Sequence, residues 1–201
     1  MIIIIGFFGF LGACLIYPAP MAGSTADAGW LTIYGGPATL SSFAFNTLMS
    51  FGGGIIGAYF ITKDPFWMMS GALAGIFCAA AGLDLWYPGT AFALGFLGGV
   101  VIPYSHKMIT SWGIDDAVGA VSVHGTCGLI GVLAVGVLLG GYPAMGEGEP
   151  ISFIGQLVGA IAMGLGGFIP GYVVSWILKK CGILRTSDKV QELGVDAEVP
   201  V

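Results

Sequence analysis

Long apolar runs separated by short polar segments dominate the pattern of this 201-residue chain. Each run is apolar throughout instead of alternating between apolar and polar residues, which favours helices over the strands of a membrane barrel. The run lengths are near the roughly 17 to 25 residues that a helix needs to cross a bilayer. The pattern predicts six transmembrane helices, at about 2–17, 39–62, 67–83, 89–105, 117–141 and 151–178. We therefore predict an all-α polytopic membrane protein, with a helical bundle over residues 1–178 and a polar C-terminal tail over 179–201.

The composition indicates the same class of protein. Hydrophobic residues make up 56% of the chain and charged residues only 8%, whereas soluble domains average about 25% charged residues. A soluble fold would lack the polar surface to cover so many apolar side chains. The lipid bilayer is therefore the expected partner of most side chains, and no nucleic-acid partner is expected.

Glycine is unusually frequent, with 36 residues. Within a bilayer, small residues let helix backbones approach each other closely. Glycines four residues apart recur at Gly53/Gly57, Gly71/Gly75, Gly95/Gly99, Gly155/Gly159 and Gly167/Gly171. Together they predict a compact bundle, and Pro103 and Pro170 predict kinks in two of its helices.

The positive charges lie on one side of the predicted bundle. With six crossings, the N-terminus, the segments 63–65 and 106–116 and the tail share that side. All lysines and arginines lie there, namely Lys63, Lys107, Lys179, Lys180, Arg185 and Lys189, whereas the other side carries Asp27, Asp84, Glu147 and Glu149. The positive-inside rule predicts that both termini are cytoplasmic, and we expect the plasma (cell inner) membrane. An inverted copy would break this rule completely, so dual topology is not expected.

Two connections lie on the opposite side of the predicted bundle. The segment 18–38 contains proline, glycine and serine and is predicted to be a loop. In the turn 84–88, Trp86 and Tyr87 are predicted to lie at the lipid headgroups, which suit amphipathic rings.

One histidine falls deep within an apolar run. His124 follows Ala117, where its helix is predicted to begin, by about 10 Å at 1.5 Å per residue, which places it well inside a hydrocarbon slab about 30 Å thick. A titratable side chain at that depth is costly unless it faces the bundle interior or a pathway. Burial favours the neutral imidazole, which can donate and accept hydrogen bonds along a file of small polar molecules. The alternative is a histidine that only joins two helices by a hydrogen bond.

The other candidate residues have structural alternatives of their own. Asp115 and Asp116 precede the fifth span, where carboxylates accept amide hydrogens and favour the positive end of the helix dipole; direct ion binding is the second interpretation. Phe10 lies among glycines in the first span, where its ring either closes a narrow pathway or packs on lipid. Ser70 and Asn46 are expected to form hydrogen bonds across helices.

The remaining polar and sulfur-containing residues predict no second site. Cys14, Cys78, Cys127 and Cys181 lack the spacing of metal ligands, so we interpret them as reduced packing residues and expect no metal and no cofactor. No second titratable group at span depth pairs with His124, so an enzyme with catalytic residues is not expected. The tail 179–201 is predicted to be either a solvated extension or a docking element on the cytoplasmic face.

Several motifs together resemble the ammonium transporter (Amt/Mep/Rh) family. Asp115-Asp116 followed by Val123-His124-Gly125-x-x-Gly128 is similar to its signature. The other similar segments occur in the same order and are Gly6-Phe-Phe-Gly-Phe10, Asn46-Thr47, Ser70-Gly71-Ala-x-Ala-Gly75 and Leu193-Gly194-Val195-Asp196. The resemblance covers essentially the whole chain, but only the second half of that family's eleven-helix fold, its sixth to eleventh spans.

The resemblance implies a function and a role for particular residues. The family carries ammonium across membranes as a homotrimer with one pore per subunit, and the less polar species passes a dry channel lined by two histidines. By this resemblance His124 would be the second of these histidines, Phe10 would be one of two stacked gate phenylalanines, and Ser70 would fall near the inner pore lining. The resemblance also implies that the tail can engage a PII-type regulator.

The chain departs from the family pattern at several positions. The family usually has Trp where Phe7 stands, Asn where Leu11 stands, a small hydroxyl residue where Cys14 stands and often a third acidic residue where Gly119 stands. The change at Cys14 weakens the expected outer ammonium site. The family's first histidine, the second gate phenylalanine and the vestibule tryptophan belong to its first half.

The two halves of this family are inverted repeats, so each needs a partner of opposite orientation. We predict that the chain conducts ammonium or ammonia only within a complete transporter, whose N-terminal half is missing here or is supplied by a separate chain. The alternatives are an ammonium-sensing membrane subunit, a scaffolding subunit in which His124 only joins helices, or a non-conducting fragment of the same fold.

Overall fold

A computed structural model of the protein describes residues 2–13, 27–142 and 150–194. Its helices are α1 (Ile2–Ala13), α2 (Leu40–Thr62), α3 (Pro65–Ala79), α4 (Pro88–Ser111), α5 (Cys127–Leu138), α6 (Phe153–Lys180) and α7 (Asp188–Leu193). A 3₁₀ turn, Ala80–Gly82, follows α3, and a π-helical segment, Val121–Thr126, precedes α5. Two short strands, β1 (Asp27–Leu31) and β2 (Pro37–Thr39), pair in antiparallel fashion.

Helices that are long and apolar enough to cross a membrane account for most of the described residues. They are Leu40–Thr62, Pro65–Gly82, Pro88–Ser111, Val121–Leu138 and Phe153–Lys180. Helix α1 is also apolar and has 12 residues, while positions 14–17 of the first predicted span lie outside the described residues. The predicted class, an all-α polytopic membrane protein, is confirmed. The division at residue 178 and the cytoplasmic location of both termini stay predictions.

The chain divides into two compact units, Met1–Val158 and Gly159–Val201. In the second unit, no residue of α6 is buried, and the exposed Arg185 donates a hydrogen bond of 2.7 Å to Gln191 of α7. The Ser187 hydroxyl accepts the amide hydrogen of Val190 and caps α7. The motif that begins at Leu193 continues beyond Gly194, outside the described residues.

Glycine backbones bring α2, α3 and α4 into direct contact in the first unit. A Cβ atom at Gly54 would overlap the carbonyl oxygen of Gly71, and a Cβ atom at Gly99 would overlap the carbonyl oxygen of Gly54. The three helices therefore meet at Gly54 with no side chain between their backbones. This packing is the kind that small residues permit in membranes, where dispersion contacts replace the hydrophobic effect between helices.

The predicted glycine pairs fall into two groups. Those at 53/57, 71/75 and 95/99 all contact the backbone of a neighbouring helix. In α6, by contrast, a Cβ atom at Gly159, Gly167 or Gly171 would meet nothing within 4 Å. These three α6 glycines make no close contact within their own unit.

The turn 84–88 folds back over the ends of the helices. Asn46 of α2 is fully buried and donates hydrogen bonds to the carbonyl oxygens of Leu83 at 2.7 Å and Trp86 at 2.9 Å. Trp86 is also fully buried and donates its indole hydrogen to the Ala79 carbonyl at 2.8 Å. Trp86 therefore does not expose its ring to the headgroups, because its one polar atom has a partner inside the protein. Its depth in the bilayer stays a prediction. Tyr87 is exposed.

A hairpin lies against the same turn. The Tyr142 hydroxyl donates its one hydrogen toward the carbonyl oxygens of Leu31 at 2.6 Å and Thr32 at 3.0 Å, which share it. The Ile33 amide donates to the Leu85 carbonyl. Burial and then the Asp84 carboxylate raise the pKa of the Tyr142 phenol. The loop predicted for 18–38 is wrong from residue 27 onward, where β1 and β2 pair; residues 18–26 lie outside the described residues.

Helix α4 ends later than predicted. Helix α4 extends to Ser111, so His106 and Lys107 lie on its last turns and not in a loop. Helices α4 and α6 continue through Pro103 and Pro170, respectively. Helix termini carry polar residues more readily than span centres, so the polar side chains of His106 and Lys107 do not mark the end of this helix.

A candidate conduction groove at His124

His124 lies on the π-helical segment Val121–Thr126. The backbone before this segment is irregular, and Gly119 has a φ of 70°, a left-handed conformation that favours glycine. Within the segment, the Cys127 amide donates to the Ser122 carbonyl, five residues earlier. The predicted helix start at Ala117 is wrong, because the turn that ends at Gly119 delays it to about Ala120. His124 is therefore about 6 Å from the helix start instead of about 10 Å.

The His124 ring forms part of the wall of an apolar groove of about 440 Å³. The other lining residues are Ile3, Gly6, Phe7, Phe10 and Phe77. Three successive ring contacts run along the wall, with centroids 4.1 Å apart for His124 and Phe77, 5.3 Å for Phe77 and Phe7, and 6.0 Å for Phe7 and Phe10. The imidazole is therefore the one polar side chain among the residues that line this groove.

The groove is open along one side of this chain. Phe10 is 65% exposed, and His124 is exposed as well. No hydrogen bond joins the His124 ring to any residue that the structure describes, so both ring nitrogens lack a protein partner among those residues. Among the described residues, His124 therefore does not join two helices by a hydrogen bond.

Ser70 lies farther along the same face of α3. It precedes Phe77 by two helical turns, so the two residues share a face about 10 Å apart. Ser70 is half-buried and forms no side-chain hydrogen bond within the described ranges. The structure thus brings His124 and Phe10 together in one groove and places Ser70 outside the lining, on a continuation of that wall.

The two aspartates before the π-helical segment have different environments. Asp116 is 4% exposed, and its carboxylate accepts the amide hydrogens of Val121 at 2.9 Å and Ser122 at 3.2 Å, and the Ser122 hydroxyl hydrogen at 2.8 Å. Asp115 is exposed. Asp116 therefore fills the helix N-terminal position that the sequence suggested for the pair.

His106 of α4 approaches the same carboxylate. Its Nδ1 lies 3.7 Å from Asp116 Oδ2, beyond hydrogen-bond range, and its ring packs edge to face on Trp67 with centroids 4.9 Å apart. Burial alone would raise the pKa of the Asp116 carboxyl, but the hydrogen bonds from Val121 and Ser122, aided by His106, outweigh burial and lower it. The folded protein therefore favours the charged carboxylate.

Asp116→Asn is expected to destabilise the protein by about 2 kcal/mol at neutral pH, because hydrogen bonds to a charged acceptor are lost. The lowered pKa means that Asp116 stabilises the fold fully at pH values above the usual carboxyl pKa of 3.8. This contribution is lost as the pH falls through the lowered pKa. The free energies of unfolding of the wild type and the variant in detergent should therefore converge below that pH. Asp115→Asn is the matched control and should change stability by less than about 0.5 kcal/mol. Equal losses in the two variants, or a gap that does not depend on pH, would contradict this assignment.

The chain that forms this groove matches a known protein family. Residues 1–199 match the Ammonium Transporter Family. The chain belongs to this family. The resemblance that the His124 motif indicated is therefore confirmed, and the chain is an integral membrane protein related to transporters.

This chain covers only part of the length of each relative that it matches. Ammonium transporter Amt2 of Methanocaldococcus jannaschii is 32% identical over 75% of this chain and 36% of the transporter. Ammonium transporter Amt2 of Archaeoglobus fulgidus is 30% identical over 95% of this chain and 41% of the transporter. A solved structure named Sensor Amt Protein superposes with a TM-score of 0.73 at 25% identity, covering 97% of this chain and 46% of that one. The chain thus spans about two fifths of the length of these curated relatives.

Sequence reasoning missed residues that join the candidate site. Phe77 contacts His124 directly, yet its only sequence signal was its position two turns after Ser70. Thr126 and Ser105 form a hydrogen bond behind the site, and their distance in sequence gave no indication of this. Cys78 and Cys127 are buried as expected of packing residues, Cys181 is exposed, and Cys14 lies outside the described residues.

Proposed function

We propose that this chain forms one wall of a pathway for ammonium or ammonia within a complete membrane transporter. The observation that carries the proposal is the position of His124, a single imidazole in a groove otherwise lined by three phenylalanines, an isoleucine and a glycine. Family membership supplies the substrate class. Ser70 would continue the pathway along α3, and Phe10 would narrow it at the other end.

The chemistry of the groove favours a neutral or transiently neutral species. An isolated cation pays a large desolvation penalty in an apolar site, whereas ammonia is small, uncharged and able to form hydrogen bonds. The neutral imidazole can donate to or accept from such a molecule without holding it as a fixed negative charge would. A proton that leaves ammonium at the entrance would then travel by another route.

The pathway needs a second wall. The groove is open on one side, and the chain spans less than half of its curated relatives, so we propose that a further segment covers His124 and Phe10. That segment is either an N-terminal half of the same polypeptide or a separate chain. The proposal includes a trimeric assembly and a PII-type regulator at the tail, which rest on family resemblance. It also includes cytoplasmic termini, which rest on the one-sided positive charges, and a location in the plasma membrane.

A chimera tests this function. The part of Archaeoglobus fulgidus Amt2 that this chain does not match would precede the chain in one polypeptide, reconstituted in proteoliposomes. Uptake of labelled methylammonium should be at least about tenfold faster with the chimera than with the chain alone. Uptake by the chain with no other protein present would overturn the requirement for a second wall. A folded chimera that takes up nothing would overturn the transport function.

A sensor is the second candidate, because the superposed solved structure is named Sensor Amt Protein. A sensor would bind ammonium without passing it across the membrane. Calorimetry on the chimera separates the two functions: saturable ammonium binding with no uptake favours the sensor, whereas uptake favours the transporter.

A further inference from the structure

The π-helical segment that carries His124 is held at both of its ends. At the start, the buried Asp116 carboxylate accepts hydrogen bonds from the Val121 amide and from the amide and hydroxyl of Ser122. At the end, the Thr126 hydroxyl lies 2.7 Å from the hydroxyl of Ser105 on α4. Ser105 is only 4% exposed, so water offers little competition for this bond.

A π-helical turn needs such restraint because it is rare and contains one residue more per hydrogen-bonded ring than an α-helical turn. If either end were free, the extra residue could slip out and the segment could return to α-helical register. A slip of one residue rotates the side chains in the segment by about 100° around the helix axis. Such a rotation would move the His124 ring away from Phe77 and out of the groove.

The direction of Thr126 explains why a bond on α4 matters for a ring in the groove. Thr126 and His124 are two positions apart, so their side chains leave the helix on roughly opposite sides. A bond that fixes Thr126 against α4 therefore also fixes His124 toward α1 and α3, where Phe10 and Phe77 lie. Gly125 lies between these two residues. A Cβ atom there would contact only Val121 of the same segment, so this position does not help to fix the direction of His124.

We propose that Ser105 and Thr126 are positioning residues, which together with Asp116 hold the π-helical turn and aim His124 into the groove. They contact neither the groove nor its contents and act only through the backbone that carries the histidine. The geometric part of this proposal is independent of transport, whereas its effect on conduction rests on the proposed function.

Histidine-selective NMR on the full chain in bilayers tests the geometric part. The chain has two histidines, so His106→Gln assigns the His124 ring signal. Phe77→Leu then shows how far the His124 chemical shift moves when the Phe77 ring is removed. The centroids of the two rings are 4.1 Å apart in the wild type. Thr126→Val, which keeps the side-chain shape but removes the hydroxyl, should move the His124 signal toward the Phe77→Leu position. Thr126→Ser keeps the hydroxyl and should restore the wild-type signal.

Two further variants sharpen the outcome. Thr110→Val is the matched control, because the exposed Thr110 hydroxyl bonds only to carbonyl oxygens of its own helix; it should leave the His124 signal in place. Ser105→Ala removes the same bond from the other partner and should move the His124 signal in the same way, which keeps the test available if Thr126→Val alone fails to fold. A folded Thr126→Val variant with an unmoved His124 signal would overturn the proposal. Loss of the fold in both Thr126→Val and Ser105→Ala would also overturn it, because the Ser105–Thr126 bond would then only stabilise the fold.

A transport measurement separates this proposal from the proposed function. In the chimera, Thr126→Val should slow methylammonium uptake about threefold, the effect of one typical interhelical hydrogen bond in a membrane, and Thr126→Ser should restore it. If the NMR shifts occur but the chimera does not transport, the positioning role stands and the transport function falls.

Discussion

Gly54→Ala is expected to disrupt the packing of α2 against α3 and α4 and to destabilise the protein by about 3 kcal/mol or more. The new methyl group would overlap the carbonyl oxygen of Gly71 and crowd the backbone of Gly75. Neither neighbour is the flexible end of a side chain, so the helices themselves would have to separate. Because the Gly54 carbonyl also contacts the position of a Cβ at Gly99, a shift of α2 would disturb α4 as well.

Gly52→Ala is the matched control for this prediction. Gly52 lies on the same helix two residues earlier, and a Cβ atom there would meet nothing within 4 Å. Alanine is favoured over glycine in a helix by up to about 1 kcal/mol, so the control should be neutral or slightly stabilising. Denaturation of both variants in mixed detergent measures the two effects, which should have opposite signs. Similar behaviour of the two variants would show that the glycine contact does not hold the three helices together.

His124→Leu is expected to lower uptake by the chimera at least about tenfold while leaving its assembly unchanged. Leucine keeps the site filled and apolar but removes the only side chain in the groove lining that can form a hydrogen bond. A small polar molecule that passes an apolar wall without a partner loses roughly 1–3 kcal/mol of hydrogen bonding, which corresponds to one to two orders of magnitude in rate.

Leu129→Ala serves as the control for the histidine variant. Leu129 follows on the same helical stretch, is 49% exposed and does not line the groove. It should leave uptake within about twofold of wild type. Size-exclusion chromatography of each variant distinguishes a conducting role from a scaffolding one. If His124→Leu breaks up the complex, the histidine is a helix-joining residue and the conduction hypothesis is wrong for this position.

The fold class was predictable because long apolar runs have few alternatives in a bilayer, where every backbone amide needs an internal partner. Local geometry was harder to predict. The delay of the fifth helix depends on a left-handed Gly119 and on Asp116, neither of which alters the hydropathy of the run. Burial of Trp86 depends on the carbonyl of Ala79, which only the folded turn brings within reach.

The candidate site was predictable to the same partial degree. His124 was evident as a polar residue in an apolar run, and Phe10 followed from family resemblance. Phe77 was not evident, because a phenylalanine in a membrane helix is unremarkable until its neighbours are known. Asp115 and Asp116 are identical in type and adjacent, and only the fold shows that the second accepts the amide hydrogens of the π-helical segment while the first faces outward.

The open side of the groove affects how lipids contact this protein. A groove lined by phenyl rings favours an apolar occupant within the bilayer. The hydrocarbon tails of phospholipids are the nearest apolar groups that fit it. Binding of the segment proposed as the second wall would then displace lipid tails from the groove. The length and saturation of those tails should accordingly change how readily the proposed transporter assembles.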